Sequence, residues 1–223
     1  MTRTDSLFSG SAVQGYLLLL LACGAALLLS IPAGTRVAHL MSPIWKPSPL
    51  LFHLTYLTLT SLLGTFRGIA AARWYRLQWG TASRLAIHGL FAQLMVLPYL
   101  VFARALLPGS GAVVLLLVPY ATLTAFMFSL IGLRLDLWGR ARRAHTFVLQ
   151  YAIFGFIYLL PWVIGLLPRT PSIITVLSPV GAALRIAQAG TALELSVAFV
   201  FVLLMIFMQA LSIRRRIRRA HVV

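Results

Sequence analysis

Covalent chemistry needs groups that hold a proton, bind a metal or make a new bond, and this chain has few. Its 223 residues include three carboxylates (Asp5, Asp136, Glu194), five histidines (His39, His53, His88, His145, His221), one lysine (Lys46) and one cysteine (Cys23). Asp5 lies in a short polar stretch at the start. Asp136 stands four residues before Arg140 in LRLDLWGRARR, the spacing of an ion pair on one helix face. Glu194 opens an apolar run, where an ionisable group is a functional candidate by default; the competing reading is a pair with Arg185 or Arg104. A metal site needs histidines that converge. His39 and His53 fall near one side of the apolar runs and His88 and His145 near the other, with no HExxH motif or Cys-His cluster. Lys46 precedes Pro47 and belongs to no GxxxxGK[ST] loop, so the chain carries no P-loop ATPase site. There is no GxSxG elbow, and a single cysteine makes no intramolecular disulfide.

The bulk composition agrees with this shortage. Apolar residues make up 61% and charged residues 10% of the chain, against about 25% charged in a soluble domain, and the mean hydropathy is +0.95. Too few polar groups remain to coat a globule, so lipid is the solvent for most of the surface. The formal charge of +16 comes from 19 basic residues, all but one of them Arg, scattered between apolar runs rather than gathered on one face. That pattern argues against a nucleic-acid partner and for contact with membrane lipids.

A spanning helix needs roughly 20 apolar residues, and a charge at mid-bilayer costs about 2.5 kcal/mol or more. The charge-free runs of the sequence therefore predict an all-α membrane domain with six transmembrane helices at about 13–31, 50–66, 85–103, 112–133, 146–167 and 193–213. The first run has a polar preface and no small-x-small cleavage site, so it reads as a retained helix rather than a signal peptide. Arg67, Arg73, Arg76 and Arg84 flank the second connection, and Arg134, Arg140, Arg142 and Arg143 the fourth. Five more arginines lie in the tail (214–216, 218 and 219). With Arg3 they outnumber Arg36, Lys46, Arg104, Arg169 and Arg185 by fourteen to five. By the positive-inside rule both termini are expected in the cytoplasm.

Within this frame several features stand out. The second run carries Thr55, Tyr56, Thr58, Thr60 and Ser61 around the helix, which fits helix-helix packing, a path lining or a subunit interface. Pro119 and Pro161 are expected to bend or loosen the fourth and fifth helices. Tyr151, Phe154, Tyr158 and Trp162 recur at spacings of three and four, sharing one face of the fifth helix, either as packing or as a substrate wall. The stretch at 67–84, RGIAAARWYRLQWGTASR, mixes arginine with Trp74, Tyr75 and Trp79, a combination common in protein interfaces and at lipid headgroups. The stretch at 168–190, PRTPSIITVLSPVGAALRIAQAG, is too long for a turn and too apolar for a solvated loop. It predicts short helical pieces dipping into the outer face, broken at Ser178 and Pro179.

These features together resemble the membrane subunits of type-2 ABC transporters, the six-helix permeases of bacterial exporters. The likeness is carried by the basic connection GLRLDLWGRARRAH, the re-entrant segment VLSPVGAALRIAQAG with its Ser-Pro step, the final helix with its SIRRRIRR tail, and the Gly80-Thr81 pair after the second helix. The sequence departs from the family in lacking acidic residues just before that pair and in its shortened N-terminal segment. The resemblance implies a permease in the bacterial cytoplasmic (inner) membrane, paired with a second copy or a paralogue and coupled to a separate ATP-binding subunit. ATP and Mg belong to that subunit, with no cofactor or catalytic site in this chain. It assigns coupling to Arg73, Trp74, Tyr75, Arg76, Trp79, Gly80 and Thr81, and places His53, Tyr56, Thr60, Tyr151, Tyr158, Trp162 and Glu194 along the path. The alternative is a non-catalytic scaffold subunit of a membrane-embedded electron-transfer or secretion complex.

Overall fold

The computed structural model describes residues 10–30, 49–74, 80–106, 110–139, 146–165, 171–188 and 190–220. The elements are α1 (Gly10–Ser30), α2 (Pro49–Trp74), α3 (Gly80–Leu106), α4 (Ser110–Gly139), α5 (Thr146–Gly165), α6 (Ser172–Thr175), α7 (Pro179–Ala187) and α8 (Ala192–Ala220). No strand occurs among the described residues. Runs such as LLLLLACGAALLL are apolar on every side, and in lipid a backbone with no water to bond must satisfy itself within a helix.

Among the described residues, four helical stretches are long and apolar enough to cross a membrane: Val13–Ser30, Thr81–Leu106, Val113–Arg134 and Ala192–Arg215. They turn leucines and phenylalanines outward in continuous bands, including Leu17, Leu18 and Leu21 on α1, Leu90, Leu94 and Leu97 on α3, and Leu203, Leu204 and Phe207 on α8. Soluble monomers do not present bands of this kind to water. The chain is an all-helical, multi-pass membrane protein.

α4 is the axis of the bundle. The most apolar stretch of α4 is 61% buried, against 33% for that of α1, 28% for α3 and 22% for α8. Its main partner is α2, which runs parallel to it. Small residues set that pairing. A Cβ on Gly64 would strike the Ala125 carbonyl, and one on Gly68 would strike the Ser129 carbonyl and lie 2.8 Å from the Leu133 nitrogen. A Cβ on Gly132 would meet the Thr65 carbonyl at 2.5 Å. Lipid tails compete equally for apolar surface, so membrane helices associate through such close approach. α1 packs on α2 and α3, and α8 on α4. At one end Ser30 Oγ donates to the Ala26 carbonyl (2.7 Å) and accepts the Phe52 N–H (3.1 Å), joining the end of α1 to the first turn of α2.

The apolar segment between α5 and α8 forms two short helices. α6 ends near Val176, and Ser178, extended at φ −87° and ψ 137°, caps α7 with Pro179 at its first position. A Cβ on Gly181 would collide with the Thr175 carbonyl, so this glycine lets α7 fold back tightly on α6. The predicted break at Ser178 and Pro179 therefore falls where the structure has it. Helices α4 and α5 run on through Pro119 and Pro161, and α3 through Pro98. Of the 67–84 stretch, residues 67–74 continue α2 and 80–84 open α3, leaving 75–79 outside the described residues.

Candidate functional site

A set of polar residues runs through the bundle from one end to the other. At the end carrying Arg67 and Arg134, the Tyr16 hydroxyl on α1 meets His88 Nδ1 on α3 at 2.9 Å. The Arg67 guanidinium on α2 lies over the Tyr16 ring, 5.2 Å from its centroid, a cation-π arrangement. Beside them Thr60, Arg67, His88 and Ser129 border a cavity of about 10 Å³, enough for about one water. Nearby, Arg134 donates from Nη1 to Gln209 Oε1 at 2.9 Å, tying α4 to α8.

Midway along, the Tyr56 hydroxyl on α2 donates to Gln93 Oε1 on α3, both side chains being buried. Gln93 Nε2 finds no hydrogen-bond partner among the described residues. The shorter polar side chains behave differently. Thr60, Ser61 and Thr65 on α2 and Thr124 and Ser129 on α4 donate to carbonyls of their own helices at 2.7 to 3.1 Å.

A second crossing joins α2, α5 and the α6–α7 break. The Thr58 hydroxyl donates to the Leu54 carbonyl at 2.7 Å, so the Tyr158 hydroxyl, 2.6 Å away, is the donor to Thr58 Oγ1. The Ser178 hydroxyl donates to the main-chain carbonyl of Tyr158. Pro161 lacks the N–H that would serve the Ile157 carbonyl, loosening the turn from which that bond is taken. Phe154 stacks on Tyr158 at 5.0 Å and 13°, and Phe128 of α4 abuts both rings at 4.6 and 6.1 Å.

At the opposite end, Glu194 makes a capping box with Thr191. The Thr191 N–H donates to Glu194 Oε2 at 3.1 Å and the Glu194 N–H to Thr191 Oγ1 at 3.3 Å, closing the first turn of α8. Arg185 of α7 approaches Glu194 Oε1 with its Nε at 3.6 Å, forming one of the two ion pairs weighed from the sequence.

No family model, no curated protein and no solved structure matches this chain.

The residues singled out in the sequence are distributed as follows. Tyr56, Thr60, Tyr158 and Glu194 are buried in the polar set described above, and His53 is buried next to Phe52 with their rings edge to face. Tyr151 and Trp162 belong to α5, their side chains outside the described set. Arg73 and Trp74 form the last turn of α2, Gly80 and Thr81 the first of α3, with Thr81 buried. The side chains of Arg73 and Trp74 lie outside the described residues, as do Tyr75, Arg76 and Trp79 altogether. His39, Asp136's side chain and His145 also fall outside. No group of His, Cys, Asp or Glu that could hold a metal occurs among the described residues.

Sequence reasoning passed over Tyr16, Arg67 as a ring partner, Gln93, and the small-residue pair Gly64 and Gly68. Two of these had a visible signal: GTFRG is a GxxxG motif, and Gln93 is a lone amide inside LFAQLMVL. The capping box was also written in the sequence, as Thr-x-x-Glu at Thr191–Glu194.

Proposed function

We propose that this chain is the permease subunit of an ATP-driven ABC exporter of the bacterial cytoplasmic membrane. In this reading it has six spans, formed by α1 to α5 and α8, with both termini in the cytoplasm. A second copy or a paralogue completes the translocation path, and a separate subunit binds and hydrolyses ATP. The observation that carries the reading is the broken helix pair α6–α7 between α5 and α8, tied by Ser178 to the Tyr158 carbonyl.

This arrangement gives a route for coupling. α5 packs on α6, α7 and α4, and meets α2 through the Tyr158–Thr58 hydrogen bond. α2 is instead packed tightly along α4. Movement delivered at the α2–α3 connection, around Trp74 to Thr81, would pass along the paired α2 and α4 as one body and part them from α5, exposing Tyr158 and its aromatic neighbours to substrate. A hydrogen bond between membrane helices is worth about 0.6 kcal/mol, a weak latch that opens without large cost.

The test is purification of the detergent-solubilised protein from its native membrane, followed by identification of what accompanies it. An ATP-binding subunit of about 25 to 35 kDa, detached by replacing Trp74 and Trp79 with Ala, supports the permease reading. Haem absorbance or redox subunits in its place would overturn it in favour of a scaffold role. An ATPase rate unchanged in the double Trp variant would overturn the coupling assignment.

A further inference from the structure

At the end of the bundle that carries Arg134, four helices are tied by a small apolar cluster: Ala71 of α2, Leu85 of α3, Leu130 and Leu133 of α4 and Ile213 of α8. Three of these residues stand directly beside arginine in the chain. Arg84 precedes Leu85, Arg134 follows Leu133, and Arg214 and Arg215 follow Ile213. All four arginines are exposed, whereas their apolar neighbours are buried. Packing of the cluster thus gathers charges that are far apart in the sequence into one band across α3, α4 and α8. The depth of that band follows from helix length. Arg84 and Arg104 of α3 are 20 residues apart, as are Glu194 and Arg214 of α8. At about 1.5 Å per residue each interval rises about 30 Å, the thickness of the hydrocarbon core. Between these limits Leu90, Leu94 and Leu97 of α3 and Leu203, Leu204 and Phe207 of α8 face outward. The hydrocarbon therefore ends at Arg84 and Arg214, and the band lies among the headgroups of that leaflet.

We propose that Arg84, Arg134, Arg214 and Arg215 form a binding surface for anionic phospholipids, with phosphates on the guanidinium groups and acyl chains along the outward leucines. A guanidinium presents a planar fork suited to two phosphate oxygens. The bond from Arg134 to Gln209 uses one of its five donors and leaves the others to a headgroup. The chain cannot neutralise the band by itself. Of its three carboxylates, Glu194 lies at the opposite end, and Asp5 and Asp136 are outnumbered by these four arginines together with Arg216, Arg218 and Arg219 further along α8. Depth favours lipid over an acidic protein, which would have to reach between headgroups to meet the same side chains. Basic clusters directly beside a membrane helix are a recurrent form of anionic-lipid recognition. The surface requires only that the chain spans a membrane, so it stands apart from the transport reading.

The experiment is native mass spectrometry of the full chain, delipidated in detergent and titrated with phosphatidylglycerol or phosphatidylcholine of matched chains. One basic group near the membrane surface contributes a preference of about fivefold for the anionic lipid. The unaltered chain should show at least that preference, and it should shrink as salt rises from about 0.1 to 1 M and the screening length falls from about 10 to 3 Å. Replacing all four arginines by Gln lowers the preference at least fivefold, replacing them by Lys retains most of it, and Arg104→Gln at the opposite border leaves it standing. Arg215→Glu reverses one exposed charge and lowers the preference even if the fourfold Gln variant fails to fold. Equal binding of the two lipids by the unaltered chain overturns the proposal. So does a preference that survives the fourfold Gln variant or Arg215→Glu, and so does one that is lost in Arg104→Gln.

Discussion

Replacing Gly68 with Ala tests the central packing of the bundle. A methyl carbon there would fall on the Ser129 carbonyl oxygen and lie 2.8 Å from both the Ser129 carbonyl carbon and the Leu133 nitrogen. All three are main-chain atoms of α4, so no rotamer change relieves the clash and the two helices must separate. Carbon contacts are optimal at about 3.5 to 4.0 Å, and a gap of 0.5 to 1 Å forfeits a quarter to a half of the attraction. The loss is multiplied along a seam that includes Gly64 against Ala125 and Gly132 against Thr65. Overpacking of this kind costs about 1 to 3 kcal/mol, and the gain in helix propensity from Gly to Ala, at most about 1 kcal/mol, offsets only part. Gly89 on α3 is the internal control, because a Cβ there has nothing within 4 Å. Gly89→Ala should be neutral or slightly stabilising. Thermal unfolding of the two variants in the same detergent, followed by a thiol-independent probe such as tryptophan fluorescence, should separate them by several degrees. If Gly68→Ala melts with Gly89→Ala, α2 and α4 do not pack backbone to backbone.

Further substitutions at three residues probe the polar contacts. Tyr158→Phe should lose about 0.6 kcal/mol of stability, the mean for such bonds in membranes; Thr58→Val should lose a similar amount and the double variant little more, as a double-mutant cycle on unfolding midpoints would record. Glu194→Ala should cost about 0.5 to 1.5 kcal/mol through the lost hydrogen bond from the Thr191 N–H, whereas Glu194→Gln keeps an acceptor for that N–H and forfeits the charge that pairs with Arg185. That arginine's side chain is 34% exposed, so its loss is within about 1 kcal/mol and diminishes in high salt. Equal melting of the Gln and Ala variants would refute the capping role.

The sequence made the helices legible because their cause is local: a run of apolar residues long enough to cross lipid has no other way to satisfy its backbone. The start of α7 was legible for a similar reason, since Pro179 suits a first helical position; Ser178 before it makes no side-chain cap bond and gives its hydroxyl to the Tyr158 carbonyl. The ends of α2 and α3 were not. Positive charges bounded the expected spans at 66 and 85, yet α2 continues through Arg67 to Trp74 and α3 begins at Gly80. An arginine ends the hydrocarbon-facing part of a helix without ending the helix, because its own backbone bonds are indifferent to the side chain's charge.

For the candidate site, residue type alone was ambiguous, and the structure supplies a physical criterion that resolves it. A Ser or Thr hydroxyl sits one or two bonds from the backbone and can reach the carbonyl four residues earlier, as Thr60, Ser61, Thr65, Thr124 and Ser129 do. Such groups ask nothing of a neighbouring helix, so the polar character of α2 overstated its need for partners. The polar atoms of Tyr, Gln and His lie beyond reach of their own main-chain carbonyls, and three tyrosines look across. Tyr16 meets His88, Tyr56 meets Gln93, and Tyr158 meets Thr58, each bond joining two helices. Thr58 is the instructive case, since it satisfies its own carbonyl and still accepts from Tyr158. Where they reach across, the long polar side chains therefore mark contacts between helices. The short hydroxyls become informative only where a long one reaches them.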